Sequence, residues 1–401
     1  MKIEELTYRI HRRQRLVSLV LLSLVLLLTA CSDDSIEEKK NTRKQTVTIL
    51  PYYASFLEVN RTPTRSLPYG YVPYRTLYPT TVPDHATIGI ILATNNDYDN
   101  ANYSVTIDKD AQGNATNHWT SVIDVQEGTT YYIYGFMPKE DAGRATLAKP
   151  DGGDYSTGCI LTVNDLNTLT SSDVCVVVAV GKSKGDANSN PYDITDINMP
   201  ISLGKFEYTS DFPYLYLLLK HLYAGLHFKA HVDTEYAKLR TIKVTNMTLT
   251  TRDKISDKIN LIVTINANGV GDDPVTNIVY EDAVATASYN YGVTQLFPRD
   301  GNPATEFEVP TQTTEEFLSC FAPAKCSSFI LTSTYDVYDK KGNLIRKDCT
   351  AVNKIDANDV LNLSQLKAGE IYTIDLKIEP TYLYVLSDPD IDNPTFTITG
   401  E

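Results

Sequence analysis

The side chains best suited to metal chemistry are three histidines that lie close together in the sequence, His221, His227 and His231. Histidines at short spacing are common zinc ligands, because a neutral ring nitrogen binds the ion well. Residues 222–232, however, alternate between apolar and polar side chains, which is typical of a strand with one buried face. The alternation places His227 and His231 on the polar face, so we interpret them as solvated side chains rather than zinc ligands.

The sequence does not indicate nucleophilic catalysis. It contains no Gly-x-Ser-x-Gly, no His-Glu-x-x-His and no phosphate-binding glycine loop, which are the motifs that place a nucleophile, a metal or a phosphate. Residues 202–205 and 364–367 match Ser-x-x-Lys, but the motifs that accompany it in enzymes are missing. We therefore predict that the protein is not an enzyme.

Two acidic loops have oxygen ligands at alternating positions, as calcium sites do. Residues 108–113 match the first half of an EF-hand loop, but the twelfth position is Trp119, where the loop needs a bidentate glutamate. The second loop supplies Asp388, Asp390, Asp392 and Asn393, and its two prolines favour a rigid turn as the alternative. We predict no cofactor and no metal, with calcium at the second loop as the minor alternative.

The N-terminus has the layout of a secretory signal. Arg12, Arg13 and Arg15 precede an apolar run over residues 16–28, which is too short to span a bilayer comfortably. Residues 28–31, Leu-Thr-Ala-Cys, resemble the bacterial lipobox, in which the cysteine becomes the first residue of the mature protein and carries lipid. We expect a signal peptide over residues 1–30 and a lipid on Cys31 that holds the chain in the outer membrane. A plain signal peptide followed by an incidental cysteine is the alternative.

The chain is acidic. It has 36 basic and 50 acidic residues and a net charge of −14. Residues 1–30 contain five of the basic and two of the acidic residues, so the rest has 31 against 48, a charge near −17. This balance argues against nucleic acid as a partner and against electrostatic adsorption to an anionic membrane.

Five cysteines follow Cys31, an odd number. We interpret them as small buried apolar residues, since a chain of this size does not need disulfides for stability. A disulfide between Cys320 and Cys326, which would close a small loop, is the alternative.

The remaining pattern predicts an all-β protein. Tyrosine is common, at 27 residues, and suits half-exposed strands. Residues 174–180 are apolar on both faces, which predicts a central buried strand. Residues 46–59 have strand periodicity with Pro51 inside, which suggests an edge strand or a bulge, and residues 358–366 predict a short helix. We expect a tether and first strand over residues 31–65, then two tandem β-sandwich domains over residues 66–210 and 211–401.

Several stretches together resemble the fimbrillin family of the Bacteroidales, the subunits and accessory proteins of type V pili. They are the lipobox, the strand and arginines of residues 47–65, YYIYGFMP at 131–138, KHLYAGLHFK at 220–229 and LKAGEIYTIDL at 366–376. The acidic residues 32–34 also resemble the signal that sends Bacteroidetes lipoproteins to the outer face of the outer membrane. The resemblance implies two transthyretin-like β-sandwich domains and a pilus subunit or pilus-associated adhesin at the cell surface.

The resemblance also implies a route of assembly. An arginine-specific protease would cut after Arg61 or Arg65 and remove the tether with the first strand. The C-terminal strand of another pilus subunit would then fill the opened groove by β-strand addition. The matching donor segment here is residues 395–399, with Phe396 and Ile398 as the side chains that fill the groove.

Two features leave an alternative open. The C-terminal region is short for the donor segment of a stalk subunit, and Arg61 and Arg65 also fit an exposed loop that no protease cuts. The alternative is a lipid-anchored surface protein that binds a glycan or another host or bacterial surface ligand without polymerising. Its binding platform would be the aromatic cluster of Tyr69, Tyr71, Tyr74 and Tyr78.

Overall fold

The computed structural model describes residues 43–54, 57–58, 71–73, 88–99, 103–109, 111–112, 115–126, 129–138, 145–183, 205–207, 214–266, 275–283, 291–298, 304–312, 318–381 and 389–400. The chain divides into a small unit, residues 1–44 and 124–127, and a main unit, residues 45–123 and 128–401. Almost all of the described structure belongs to the main unit.

The described elements are almost entirely strands. In the first half of the chain they are β1 (Arg43–Ala54), β2 (Leu57–Glu58), β3 (Tyr71–Pro73), β4 (Ile88–Ala93), β5 (Tyr103–Lys109), β6 (Ala115–Val125), β7 (Thr130–Met137), β8 (Ala145–Ala148), β9 (Gly158–Asn167), β10 (Cys175–Ser183), β11 (Lys205–Glu207) and β12 (Tyr214–His221). In the second half they are β13 (Tyr223–Val232), β14 (Arg240–Thr251), β15 (Lys258–Asn266), β16 (Val275–Asp282), β17 (Val293–Phe297), β18 (Phe307–Glu308), β19 (Leu318–Pro323), β20 (Ser328–Asp339), β21 (Leu344–Asp356), the helix α1 (Ala357–Leu361), β22 (Glu370–Thr381) and β23 (Asp390–Gly400).

These strands form four sheets. The first has the order β10-β12-β1-β6-β5-β4-β7-β11, with β3 paired to β1 and a further pairing of β10 with β7. The second has the order β19-β13-β22-β2, with β23 paired to β22. The third is β17-β14-β20-β21 with β18 on β14, and the fourth is β16-β15-β9-β8. The predicted all-β class is confirmed.

Strand periodicity explains where the core lies. In β13, Leu226, Phe228, Ala230 and Val232 are buried while the residues between them are only partly so. The strand β15 shows the same strict alternation, with Leu261 and Val263 fully buried. Each such strand covers an apolar layer with one face, which is how a pattern of period two builds a sandwich core.

A buried strand and a short helix occur near the positions where the sequence predicts them. The central strand is confirmed, because residues 174–177 are all buried at the start of β10. The helix exists but ends at Leu361, since Asn362 adopts a left-handed conformation with φ of 55°. Its first turn is capped by Asp356, whose side chain accepts a hydrogen bond from the Asn358 amide.

Within the described residues no helix is long and apolar enough to cross a bilayer.

The expectation that Pro51 marks an edge strand or a bulge is wrong. Residues 48–53 of β1 pair in parallel with β12, without a shift of register, and residues 52–54 pair with β3 on the other side. A strand directs the backbone groups of successive residues to opposite sides, so one proline removes a single donor without breaking the ladder.

The five described cysteines are buried free thiols, which confirms their interpretation as small core residues. In this structure Cys320 and Cys326 are not joined by a disulfide. Four of the five, Cys159, Cys175, Cys320 and Cys326, are 0% exposed, so the solvent does not reach their thiols.

The first and second sheets are connected by a single residue. The strand β12 ends at His221 and β13 begins at Tyr223, so only Leu222 lies between them. The Leu222 amide donates to the Val174 carbonyl at 2.8 Å, and the Tyr280 hydroxyl donates to the Leu222 carbonyl. The path of the chain at this junction is therefore fixed by hydrogen bonds at both the amide and the carbonyl of one residue.

Strand pairing crosses the predicted boundary between residues 210 and 211 at two places. The strand β12 lies in the first sheet, and β9 pairs with β15 along residues 158–167 and 258–266. The buried apolar residues form one cluster that extends from Ile91 to Phe396. The division into two sandwich domains at that boundary stays a prediction.

Leu261 is fully buried on β15, the strand that pairs with β9 across the predicted boundary. Truncation of its side chain tests how much this part of the core contributes to stability. We expect Leu261→Ala to lower the free energy of unfolding by about 2–5 kcal/mol, because it leaves a cavity that the sheet cannot fill. Urea denaturation measures the change. The control is Val352→Ala on β21, which is 65% exposed and should change stability by about 0.5 kcal/mol or less. Equal losses for the two variants would contradict the assigned core.

Candidate functional site

The strand β22 joins segments from both ends of the chain along one edge. On one side, residues 371–378 pair in parallel with β13. On the other side, Glu370 and Ile371 pair with β2, and residues 374–381 pair antiparallel with β23. The predicted removable segment and the predicted donor segment therefore lie end to end beside the same strand. We call this edge of β22, with β2 and β23, the terminal-strand edge.

The strand β23 buries one face against the core. Phe396 is 5% exposed, and its ring lies 4.7 Å from that of Tyr335 between centroids. Ile398 is partly buried against the same cluster, whereas Thr395, Thr397 and Thr399 are exposed. Burial also raises the pKa of Tyr335 to about 12. Phe396 and Ile398 thus share the inward face, as predicted, but in this structure they fill a groove of their own chain.

Side chains from other strands also hold β23 in place. The Asn353 side-chain amide donates to the Phe396 carbonyl at 2.6 Å, and the Tyr236 hydroxyl donates to the Ile391 carbonyl at 2.8 Å. At the end of the strand, Gly400 lies so close to α1 that an added Cβ would meet the Val360 carbonyl oxygen. The backbone ladder with β22 is therefore reinforced at its beginning, middle and end.

An arginine binds the acidic residues at the beginning of β23. The Arg240 guanidinium donates to Asp392 Oδ1 from Nε at 2.9 Å and from Nη2 at 2.6 Å. The Asp390 carboxylate accepts a hydrogen bond from the Asp392 amide. In this structure the carboxylate of Asp392 is paired with a cation of the chain itself, and residues 390–393 belong to β23 rather than to a turn. Asp388 lies outside the described residues.

Other predicted site residues also lie outside the described part of the chain. They are the lipidation site Cys31 and the cleavage positions Arg61 and Arg65. Lipidation and cleavage at these residues stay predictions. Of the tyrosine cluster, Tyr71 begins β3, and Tyr69, Tyr74 and Tyr78 are outside the described residues.

The three histidines do not form one site. His231 Nδ1 lies 3.2 Å from Asp375 Oδ1 on the neighbouring β22. His227 is partly buried, and that burial, with the nearby charge of Lys229, lowers its pKa to about 4. His221 is only 1% exposed, so it does not belong to a polar face. The interpretation of His227 as a solvated side chain is therefore only partly right.

His221 lies in a buried cluster with an aspartate and a cysteine. Its Nδ1 lies 2.6 Å from Asp173 Oδ2 and 3.4 Å from Cys175 Sγ. The Cys175 thiol donates to Asp173 Oδ2 at 3.1 Å, and all three residues are no more than 1% exposed. Burial and the adjacent Asp173 carboxylate raise the pKa of the Cys175 thiol. We call these residues the buried trio.

Sequence reasoning missed both the trio and the side chains that hold β23. Arg240 and Asp392 are 152 positions apart, and Asp173 and His221 are 48 apart. Contacts over such separations leave no local pattern in one sequence. The only local signal was an aspartate two residues before a cysteine at the start of an apolar strand.

Comparison with known proteins gives structural neighbours only. No family model matches the chain, and no curated protein matches it. A candidate cell adhesion protein from Bacteroides fragilis is similar at 10% identity, with 89% of this chain and 98% of that chain covered and a TM-score of 0.39. A fimbrial protein from Bacteroides vulgatus is 12% identical, with 88% and 99% covered and a TM-score of 0.36.

The fimbrial anchor protein Mfa2 from Porphyromonas gingivalis is 11% identical, with 89% of this chain and 97% of that chain covered and a TM-score of 0.26. These neighbours are adhesion and fimbrial proteins, the kind of protein that the sequence resembles. At these identities and TM-scores, the function has to be argued from the residues of the chain itself.

Truncation of Phe396 tests how strongly the chain retains its last strand. We expect Phe396→Ala to lower the free energy of unfolding by about 3 kcal/mol, because the ring is almost fully enclosed. The matched control is Thr397→Ala, the exposed neighbour on the same strand, which should change stability by about 0.5 kcal/mol or less. Urea denaturation of both variants decides the point. If they lose the same amount, β23 is not anchored by its inward face.

The partly buried His227 predicts a specific dependence of stability on pH. Its pKa in the folded protein, about 4, is lowered from 6.5, so the unfolded chain binds a proton that the folded chain does not. Stability should therefore fall as the pH falls from 6.5 to 4. We expect His227→Gln to lose less stability than the unmodified protein over this interval, measured by urea midpoints. Identical losses would show that His227 titrates normally in the folded state.

Proposed function

We propose that the chain is a structural or adhesive component of a type V pilus on the bacterial surface. It is exported as a lipoprotein through Cys31, which places it on the outer membrane. A protease that cuts after Arg61 or Arg65 then removes the tether and the first strand. The cut chain joins other pilus subunits by donor-strand exchange, in which β23 contributes Phe396 and Ile398. The proposal assigns no catalytic step to the protein.

The terminal-strand edge is the observation that carries the proposal. β2 belongs to the segment that cleavage at Arg61 would remove, and it pairs with Glu370 and Ile371 directly beside the ladder of β23. Removal of residues up to Arg61 would leave these backbone groups without their partners. It would also remove the parallel partner of β12 along residues 214–219. An exposed strand edge is a template for the strand of another chain.

The chemistry of β23 fits a donated strand. Its inward side chains alternate with exposed threonines, so the same segment can present apolar side chains to a groove while its backbone extends a sheet. Tyr236, Arg240 and Asn353 hold it in the described state through a few hydrogen bonds. Donation to another subunit would exchange these contacts and the β22 ladder for equivalent contacts on the partner.

The alternative function, a lipid-anchored protein that binds a surface ligand without polymerising, has no observation in its favour among the described residues. It makes a different prediction for the N-terminus, because the lipid on Cys31 would be retained. Proteolytic processing therefore distinguishes the two candidates.

The N-terminus of the protein recovered from the cell surface tests the proposal, by mass spectrometry of the intact chain. We expect a start at Thr62 or Ser66. The double variant Arg61→Lys, Arg65→Lys keeps the positive charge but removes the site for an arginine-specific protease, so its chain should keep the segment from Cys31 onward. The control Arg43→Lys should be processed like the unmodified protein.

A chain that starts at acylated Cys31 in the unmodified protein would contradict the cleavage step and favour the anchored alternative. Normal processing of the lysine double variant would show that the protease does not read these arginines.

A further inference from the structure

The buried trio converges on one point because of strand geometry. Asp173 lies two positions before Cys175, the first residue of β10, and its carboxylate accepts a hydrogen bond from the Cys175 thiol at 3.1 Å. His221 is the register partner of Cys175 on the antiparallel neighbour β12. Directly opposed residues have Cβ atoms about 4.5–5.5 Å apart, which brings the carboxylate, the thiol and the imidazole together.

The donor set is suited to a specific class of ligand. Thiolate, imidazole and carboxylate are the three side-chain types that bind zinc, with bonds of about 2.0–2.3 Å. A thiolate and a carboxylate together balance the charge of a divalent cation, so the complex with a neutral imidazole carries no net charge. This matters because the three side chains are between 0 and 1% exposed, and a net charge at such a position is costly.

A second observation points to a ligand. Oδ1 of Asp173 is buried and has no hydrogen-bond partner within the described part of the chain. A buried carboxylate oxygen is normally paired, and leaving it unpaired costs about 1–3 kcal/mol or more. A cation bound at the trio would satisfy this oxygen.

Nucleophilic catalysis, the other chemistry of a cysteine, histidine and aspartate, is excluded by access. A substrate cannot reach the Cys175 thiol, because the residue is 0% exposed. We propose instead that Asp173, Cys175 and His221 form a structural binding site for a divalent zinc-type cation, which the chain takes up as it folds. The site would fix the start of β10 to the end of β12, next to the one-residue junction at Leu222.

The distances between the three side chains show which contacts must change when zinc binds. Two ligand atoms of a tetrahedral zinc site lie about 3.5 Å apart, as follows from the bond lengths. The distance from Sγ to Nδ1, 3.4 Å, already fits, but the 2.6 Å from Nδ1 to Oδ2 is a hydrogen bond. Binding therefore releases the Cys175 thiol proton to the solvent and requires His221 to carry its ring proton on Nε2, so that Sγ and Nδ1 are free to bind the ion. A small rotation of Asp173 then brings Oδ1 to the ion.

The test measures zinc in the full chain, refolded with zinc chloride alone, passed through gel filtration and analysed by elemental mass spectrometry. We expect roughly one zinc ion per chain and the same content for the control Cys159→Ser, which removes an equally buried thiol. Cys175→Ser should reduce the content about tenfold or more. Less than about a tenth of an ion in the unmodified chain, or full content in Cys175→Ser, would overturn the proposal.

A second readout needs no variant, in case Cys175→Ser does not fold. The unmodified chain is treated with iodoacetamide in moderate urea, with and without zinc, and alkylation is measured for each cysteine peptide. We expect zinc to slow alkylation of Cys175 about tenfold more than that of Cys159 or Cys320. Equal rates with and without zinc, or equal protection of all three, would show that the trio is only a hydrogen-bonded cluster.

Discussion

Backbone hydrogen bonding along β22 is the constraint on which the arrangement of the chain ends depends. A strand buried in a sheet must pair on both sides, because unpaired amide and carbonyl groups are costly away from water. β13 satisfies one side of β22 through residues 371–378. The other side is divided between β2 and β23, which come from opposite ends of the described chain. Neither segment alone covers the edge, so a change at one end of the protein alters a sheet that the other end completes.

A second constraint lies at the junction between the first two sheets. Leu222 is the only residue between β12 and β13; its amide donates to Val174, which directly precedes β10, and its carbonyl accepts from Tyr280 of β16. The buried trio lies directly before it, where His221 ends β12. The hydrogen bonds that fix this crossing involve Val174 and Tyr280, which belong neither to the segment whose removal is proposed nor to β23.

Sequence periodicity and capping residues predicted the features of the fold that depend on neighbouring residues. The alternation in residues 222–232 identified the buried face of β13, and the capping residue Asp356 precedes a helix that was expected in that region. The pattern could not predict that β13 pairs in parallel with β22. Register partners on the two strands are about 146 positions apart, and any other strand with the same alternation could pair with β13 equally well. The contact between His221 and Asp173 was missed for the same reason, since the two residues are 48 positions apart. The sequence predicted that Phe396 and Ile398 point inward on β23, but it did not predict that β23 pairs with β22.

The central claim is that β23 leaves its own chain to complete a neighbour. Lys377 and Thr397 are register partners on β22 and β23, so cysteines at both positions can form a disulfide that locks β23 in place, with the single variants as controls. The measurement is the extent of polymerisation of the processed double variant, oxidised and reduced, by electron microscopy and gel filtration. The account predicts that the reduced protein assembles and the oxidised protein stays monomeric. Equal assembly in both states, or none in either, would contradict it.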